Sequence, residues 1–93
     1  MKNIIRFIKR LFGKYESGYE YWVYLKDIKI HPDFEKTPPR KNKFSQKMDY
    51  YLKHGEFQSP IILNKDFVLV DGYTSYLIAE KCHIDKVPVY FGK

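Results

Sequence analysis

The sequence predicts an α+β domain in which a small mixed sheet packs with helices, and three observations in its second half carry that prediction. Residues 60–63 (Pro-Ile-Ile-Leu), 67–70 (Phe-Val-Leu-Val) and 87–91 (Val-Pro-Val-Tyr-Phe) are short runs rich in β-branched and aromatic residues, the signature of strands. Asn64, Lys65 and Asp66 form a polar turn between the first two runs, which makes them a hairpin. The stretch from Asp71-Gly72 to about Cys82 is long enough for one crossover helix before the last run.

The remaining elements follow in chain order. Residues 1–12 place Ile4, Ile5, Ile8, Leu11 and Phe12 on one stripe and Lys2, Arg6, Lys9 and Arg10 opposite it, which predicts that the segment of residues 1–14 is an amphipathic basic helix with its stop signal at Gly13. It could dock on the domain, engage a protein partner or rest on an anionic membrane surface. Its charges and the absence of a small-residue cleavage site argue against a secretory signal. Residues 15–93 then form a single domain. Tyr21 to Leu25 reads as a strand, and Asp27 to Ile30 alternates like a short second one that His31-Pro32 ends. A loop over residues 33–42 contains the stiff Thr37-Pro38-Pro39-Arg40. A helix over about residues 44–54 puts Phe44, Met48, Tyr51 and Leu52 on one face and Lys43, Lys47 and Lys53 on the other, and stops at Gly55.

Composition bounds the function. A chain of 93 residues buries a modest fraction of its surface, so nine Tyr and seven Phe are expected to supply much of the core. The net charge of +6 is uneven: residues 1–14 hold five basic and no acidic groups, and residues 36–53 hold six basic groups against Asp49 alone. Such asymmetry points to DNA, RNA or another polyanion, with Arg40, Lys41, Lys43 and Lys47 as the candidate nucleic-acid contacts. One cysteine, Cys82, forms no internal disulfide and reads as a small apolar residue, compatible with a cytoplasmic location. His31, His54 and His83 lack ligand spacing, so no metal site is predicted.

The candidate pocket is the turn at Asp71-Gly72. The first N–H groups of a helix have no partner inside it and attract anions. The hydroxyls of Thr74 and Ser75 could hold a phosphate or cap the helix. A side chain at position 72 would intrude where a phosphate approaches the backbone. Asp71 would repel an anion, and it is the candidate catalytic base if there is one, with Glu56 behind it. Tyr73 and Tyr76 could stack on a base or pack in the core.

Taken together, Pro39-Arg40-Lys41, a helix, Gly55, Ser59-Pro60-Ile61, Leu69-Val70-Asp71-Gly72, Ala79 and Val87-Pro88-Val89 resemble the N-terminal domain of the ParB and sulfiredoxin superfamily over about residues 22–91. The resemblance implies a ParB/sulfiredoxin-like fold and a nucleotide as possible ligand. Its phosphates would meet Gly72, Tyr73, Thr74 and Ser75, with Arg40 and the loop of residues 55–60 flanking the site. The family usually places Gly just after the helix that begins at this turn, so the resemblance implies a left-handed cap at His83, which holds that position here. The sequence departs from the family at that turn. ParB proteins have Gly-Glu-Arg-Arg there and sulfiredoxins Gly-Cys-His-Arg, whereas this chain has Gly72-Tyr73-Thr74-Ser75. The turn thus lacks the guanidinium grip and the nucleophilic cysteine, since Cys82 lies at the other end of the helix. No helix-turn-helix follows residue 91, so specific operator binding is not expected. The resulting expectation is a small non-catalytic binding module that contacts nucleic acid or a nucleotide. Two alternatives stay open: an enzyme of the same superfamily (nucleotide hydrolase or phosphotransferase), and a protein-interaction scaffold with a vestigial pocket.

Overall fold

The computed structural model describes residues 16–92; the basic helix expected over residues 1–14 lies outside the described residues. Strand β1, Tyr21–Tyr24, alternates as its sequence demands: Tyr21 and Val23 are buried, Trp22 and Tyr24 face out. A 3₁₀ turn over Leu25–Asp27 follows at once. It reduces the second strand expected here to a single parallel bridge between Lys29 and Val68, with Lys29 N–H to Phe67 O and Leu69 N–H to Lys29 O both at 2.8 Å. With the 3₁₀ turn before and Pro32 after, only one residue stays extended long enough to pair.

Part of the predicted loop is a helix. Helix α1, Pro32–Lys36, begins with Pro at its first position, carries Asp33 and Glu35 in its first turn, and is capped by His31, whose Nδ1 accepts from the Asp33 N–H at 3.1 Å. Helix α2, Lys41–His54, starts directly after Arg40 and ends at Gly55, which takes the left-handed conformation at φ 71°. Phe44, Met48 and Tyr51 are half-buried. Leu52, expected on the same face, is 67% exposed; it sits about 80° round the helix from Phe44, at the edge of the apolar stripe.

Strands β2 (Ile61–Leu63) and β3 (Leu69–Asp71) form the hairpin. Its turn is longer than the sequence suggests. Asn64 Oδ1 accepts from the N–H groups of Asp66 (2.9 Å) and Val68 (3.0 Å), and Phe67 adopts φ 65°, so the second strand starts at Leu69. Helix α3, Tyr73–Lys81, crosses to β4, Lys86–Phe91. The sheet order is β1-β4-β2-β3, with β4 antiparallel to β1 and parallel to β2, and β2 antiparallel to β3. The sheet is therefore mixed.

Ile78 and Ala79 of α3 are buried with Val23, Ile61, Leu63, Leu69, Val87 and Val89 of the strands. This core is chiefly aliphatic, against the expectation from composition. Tyr21 and Phe91, edge to face at 5.4 Å, are its fully enclosed aromatic pair, while Phe34, Phe57, Phe67, Tyr73 and Tyr76 pack half-buried around it. Cys82 is likewise half-buried, its Sγ 3.9 Å from Met48 Sδ where α3 meets α2.

His83 takes φ 56°, as the family resemblance implies. Its N–H bonds Glu80 O at 3.2 Å and the Ile84 N–H bonds Ala79 O at 2.9 Å, the paired bonds that close a helix through a left-handed residue. Glycine adopts this conformation without the Cβ penalty. His83→Gly should therefore raise the melting temperature by a few degrees, for about 0.5–1 kcal/mol, or leave it unchanged. A clear loss would show that the imidazole contributes a contact of its own.

Candidate functional site

The turn between β3 and α3 is fixed by backbone packing. Gly72 adopts φ 88°, ψ 27° as the cap of α3, and it is buried. A Cβ built on it would lie 2.3 Å from Pro60 O and 2.8 Å from Ile61 Cα. The glycine is thus demanded by the chain entering β2, and a side chain there would collide with that backbone. Helix α3 makes its first internal bond from Tyr76 N–H to Gly72 O at 3.0 Å, so the N–H groups of Tyr73, Thr74 and Ser75 precede its ladder.

Gly72, Tyr73 and Thr74 of this turn border a hollow of about 260 Å³ whose lining also includes Phe34, Lys43, Lys47, Ser59 and Asp71. Two cations of α2 thereby meet the turn. Lys43 is exposed and Lys47 half-buried, and the Lys47 ammonium hydrogen-bonds Ser59 Oγ. The sequence alone assigns both lysines to an outward nucleic-acid face. In the fold they converge on Gly72 and supply, from another helix, positive charge that the turn lacks.

The other nominated residues divide. Thr74 is nearly buried and lines the hollow. Ser75 is 1% exposed and does not line it; its hydroxyl donates to Ser59 O at 2.6 Å, tying α3 to the loop before β2. Tyr73 lines the hollow beside Phe34, ring centroids 5.3 Å apart, and Tyr76 stacks on Tyr73 at 6.2 Å. Burial, then the carboxylates of Glu35 and Glu80, push the Tyr73 phenol above its ordinary pKa. Burial also raises Tyr76, followed by Glu80, Tyr73 and Glu35. Both phenols stay protonated at neutral pH and can donate.

Asp71 is the one carboxylate among the described residues that line the hollow, and its Oδ1 accepts from the Gly72 N–H at 2.8 Å. Glu56, the second candidate base, borders a different hollow with Trp22 and Phe57. Arg40 is exposed at the cap of α2 and the hollow is edged by its neighbour Pro39; Lys41 also points to solvent. Sequence reasoning overlooked Phe34 and underestimated Ser59. The signal for Phe34 was the Pro-Asp-Phe-Glu start of α1; for Ser59 nothing local marks a residue that touches both Lys47 and Ser75. Among the described residues no group of three or more His, Cys, Asp or Glu is placed to hold a metal ion, and no helix is long and apolar enough to cross a membrane.

No protein-family model matches the chain, and no curated protein matches it. Solved structures do. A pNOB8-like ParB N-domain is 24% identical with a TM-score of 0.66, over 77% of this chain and 28% of that one. Sulfiredoxin from Arabidopsis thaliana is 19% identical with a TM-score of 0.65, over 80% of this chain and 84% of that one. The C-terminally truncated chromosome-partitioning protein ParB from Caulobacter crescentus, complexed with CTP-γ-S, is 15% identical with a TM-score of 0.63, over 82% of this chain and 45% of that one. The chain thus spans just over a quarter of the first of these and less than half of the Caulobacter protein. These likenesses show that the chain has the ParB/sulfiredoxin-like fold.

Proposed function

We propose that this domain is a non-catalytic binding module that holds a nucleotide by its phosphates in the hollow at Gly72. The observation that carries the reading is the meeting of Lys43 and Lys47 with the first turn of α3 around one small cavity. Backbone N–H groups at a helix start and two ammonium groups are complementary to a phosphate chain. A cavity of about 260 Å³ admits phosphates and a sugar, not a duplex. Phe34 and Tyr73 offer an apolar wall beside it. The same fold in the Caulobacter protein is bound to CTP-γ-S, which supports a nucleotide as the ligand class. Asp71, whose Oδ1 accepts from the Gly72 N–H, orients the turn, and the two ammonium groups outnumber its single negative charge in the lining.

Calorimetric titration with CTP, ATP, GTP and inorganic triphosphate tests this. Binding to at least one nucleotide is expected. Lys47→Ala should weaken it by roughly tenfold or more, the worth of one charge-assisted contact, and Lys43→Ala by less because that side chain is exposed. A protein that binds none of the four at millimolar concentration would overturn the reading and leave the scaffold alternative.

A further inference from the structure

The sheet has a second face that the hollow at Gly72 does not use. On β1 and β4 the outward positions bring Trp22 opposite Pro88 and Tyr24 opposite Lys86, with Tyr90 two residues beyond Pro88. Trp22 is 45% exposed, Tyr24 43% and Tyr90 36%. Partly exposed aromatic side chains thus stand on one face of a four-stranded sheet at the regular spacing of alternate strand residues. Basic groups stand among them: the ammonium groups of Lys86 and Lys26 lie 5.0 and 5.6 Å from the centroid of the Tyr24 ring.

Beside Trp22 the face opens into a hollow of about 280 Å³ between the indole, Pro88 and the Tyr51–Phe57 pair, whose rings stack at 5.0 Å and 19°. That volume receives one flat heterocycle. The indole is held in place, its Nε1–H donating to Glu20 Oε1 at 3.2 Å, and Glu56 adds a second carboxylate to the lining. Carboxylates accept hydrogen bonds from the exocyclic amine of cytosine. A flat aromatic platform, adjacent ammonium groups and acceptors in a base-sized recess are the three requirements for holding unpaired nucleotides.

We propose that the open sheet face around Trp22 binds a single strand of nucleic acid through its bases, one base entering the hollow against Trp22 while Lys26 and Lys86 meet the phosphates. The occupant is a single strand because a duplex hides its π faces from a stacking platform. The site is separate from the hollow at Gly72 and does not depend on what that hollow holds.

Trp22 is the only tryptophan of the chain, so its fluorescence reports this face directly. Titration of the protein with oligodeoxycytidylate should quench that emission, and the affinity should fall steadily as salt is raised. The double variant Lys26→Ala/Lys86→Ala, which keeps the tryptophan, should bind about tenfold more weakly and show a shallower salt dependence. Oligothymidylate, which has no exocyclic amine, should bind less tightly than oligodeoxycytidylate. Unchanged emission at millimolar strand concentration would overturn the proposal. So would equal affinity for a duplex of the same length, which would reduce the face to a phosphate-attracting surface.

Discussion

Gly72→Ala should lose about 2–5 kcal/mol of folding stability, and in a domain of this size it should leave little folded protein at 37 °C. Two independent costs add. The new Cβ would lie 2.3 Å from Pro60 O and 2.8 Å from Ile61 Cα, both backbone atoms that can retreat only by displacing β2 from the sheet. Overpacking of that kind costs about 1–3 kcal/mol, and a left-handed conformation adds roughly 1–2 kcal/mol for a residue with a Cβ. Gly55→Ala is the control, because Gly55 has a similar φ of 71° and no atom within 4 Å of its would-be Cβ. It should lose about 1 kcal/mol. Urea midpoints of the two variants separate the terms. Equal losses would mean that the contact with Pro60 and Ile61 relaxes freely, and position 72 would then be a conformational requirement alone.

Ser75→Arg should be at least as damaging, roughly 4–5 kcal/mol, although it restores a residue that ParB proteins carry at the same turn. Ser75 is 1% exposed and its hydroxyl donates to Ser59 O at 2.6 Å. A guanidinium there would be buried without a partner, and Ser59 O would lose its donor. Ser75→Ala should lose only about 1–2 kcal/mol, the cost of leaving that carbonyl unpaired. A stable Ser75→Arg protein with raised nucleotide affinity would show that α3 can roll to present position 75 to the hollow.

The fold was legible where hydrophobic runs were bounded by turn chemistry. Residues 60–63 and 87–91 name their own strands, and Asp71-Gly72 names the start of α3. His83 was legible because the resembled family places a glycine at that helix end, a common site for a left-handed residue. What escaped was set by neighbours far away in sequence. Phe67 looked like the first residue of a strand, and it is a left-handed turn residue because Asn64 holds the turn open with its side chain. Helix α1 escaped because five residues give no periodicity, leaving only its cap and its proline as signals.

The candidate site was legible in half. Gly72, Tyr73 and Thr74 border the hollow, as a strand-to-helix turn suggests. Ser75 has the same chemistry as Thr74, but it faces the loop before β2, and one helical step of about 100° decides between them. Lys43 and Lys47 were legible as charges and not as partners of the turn. Their convergence on it depends on how α2 packs beside α3, which no local pattern encodes.

The most direct measurement of the central claim is an amide-resolved NMR titration with CTP and with inorganic triphosphate. If phosphates are held at the start of α3 by Lys43 and Lys47, the largest shifts fall on the N–H groups of Gly72, Tyr73 and Thr74, and they disappear in Lys43→Ala/Lys47→Ala while the remaining spectrum is preserved. Shifts centred elsewhere, or a double variant that binds as tightly as the natural protein, would contradict the account.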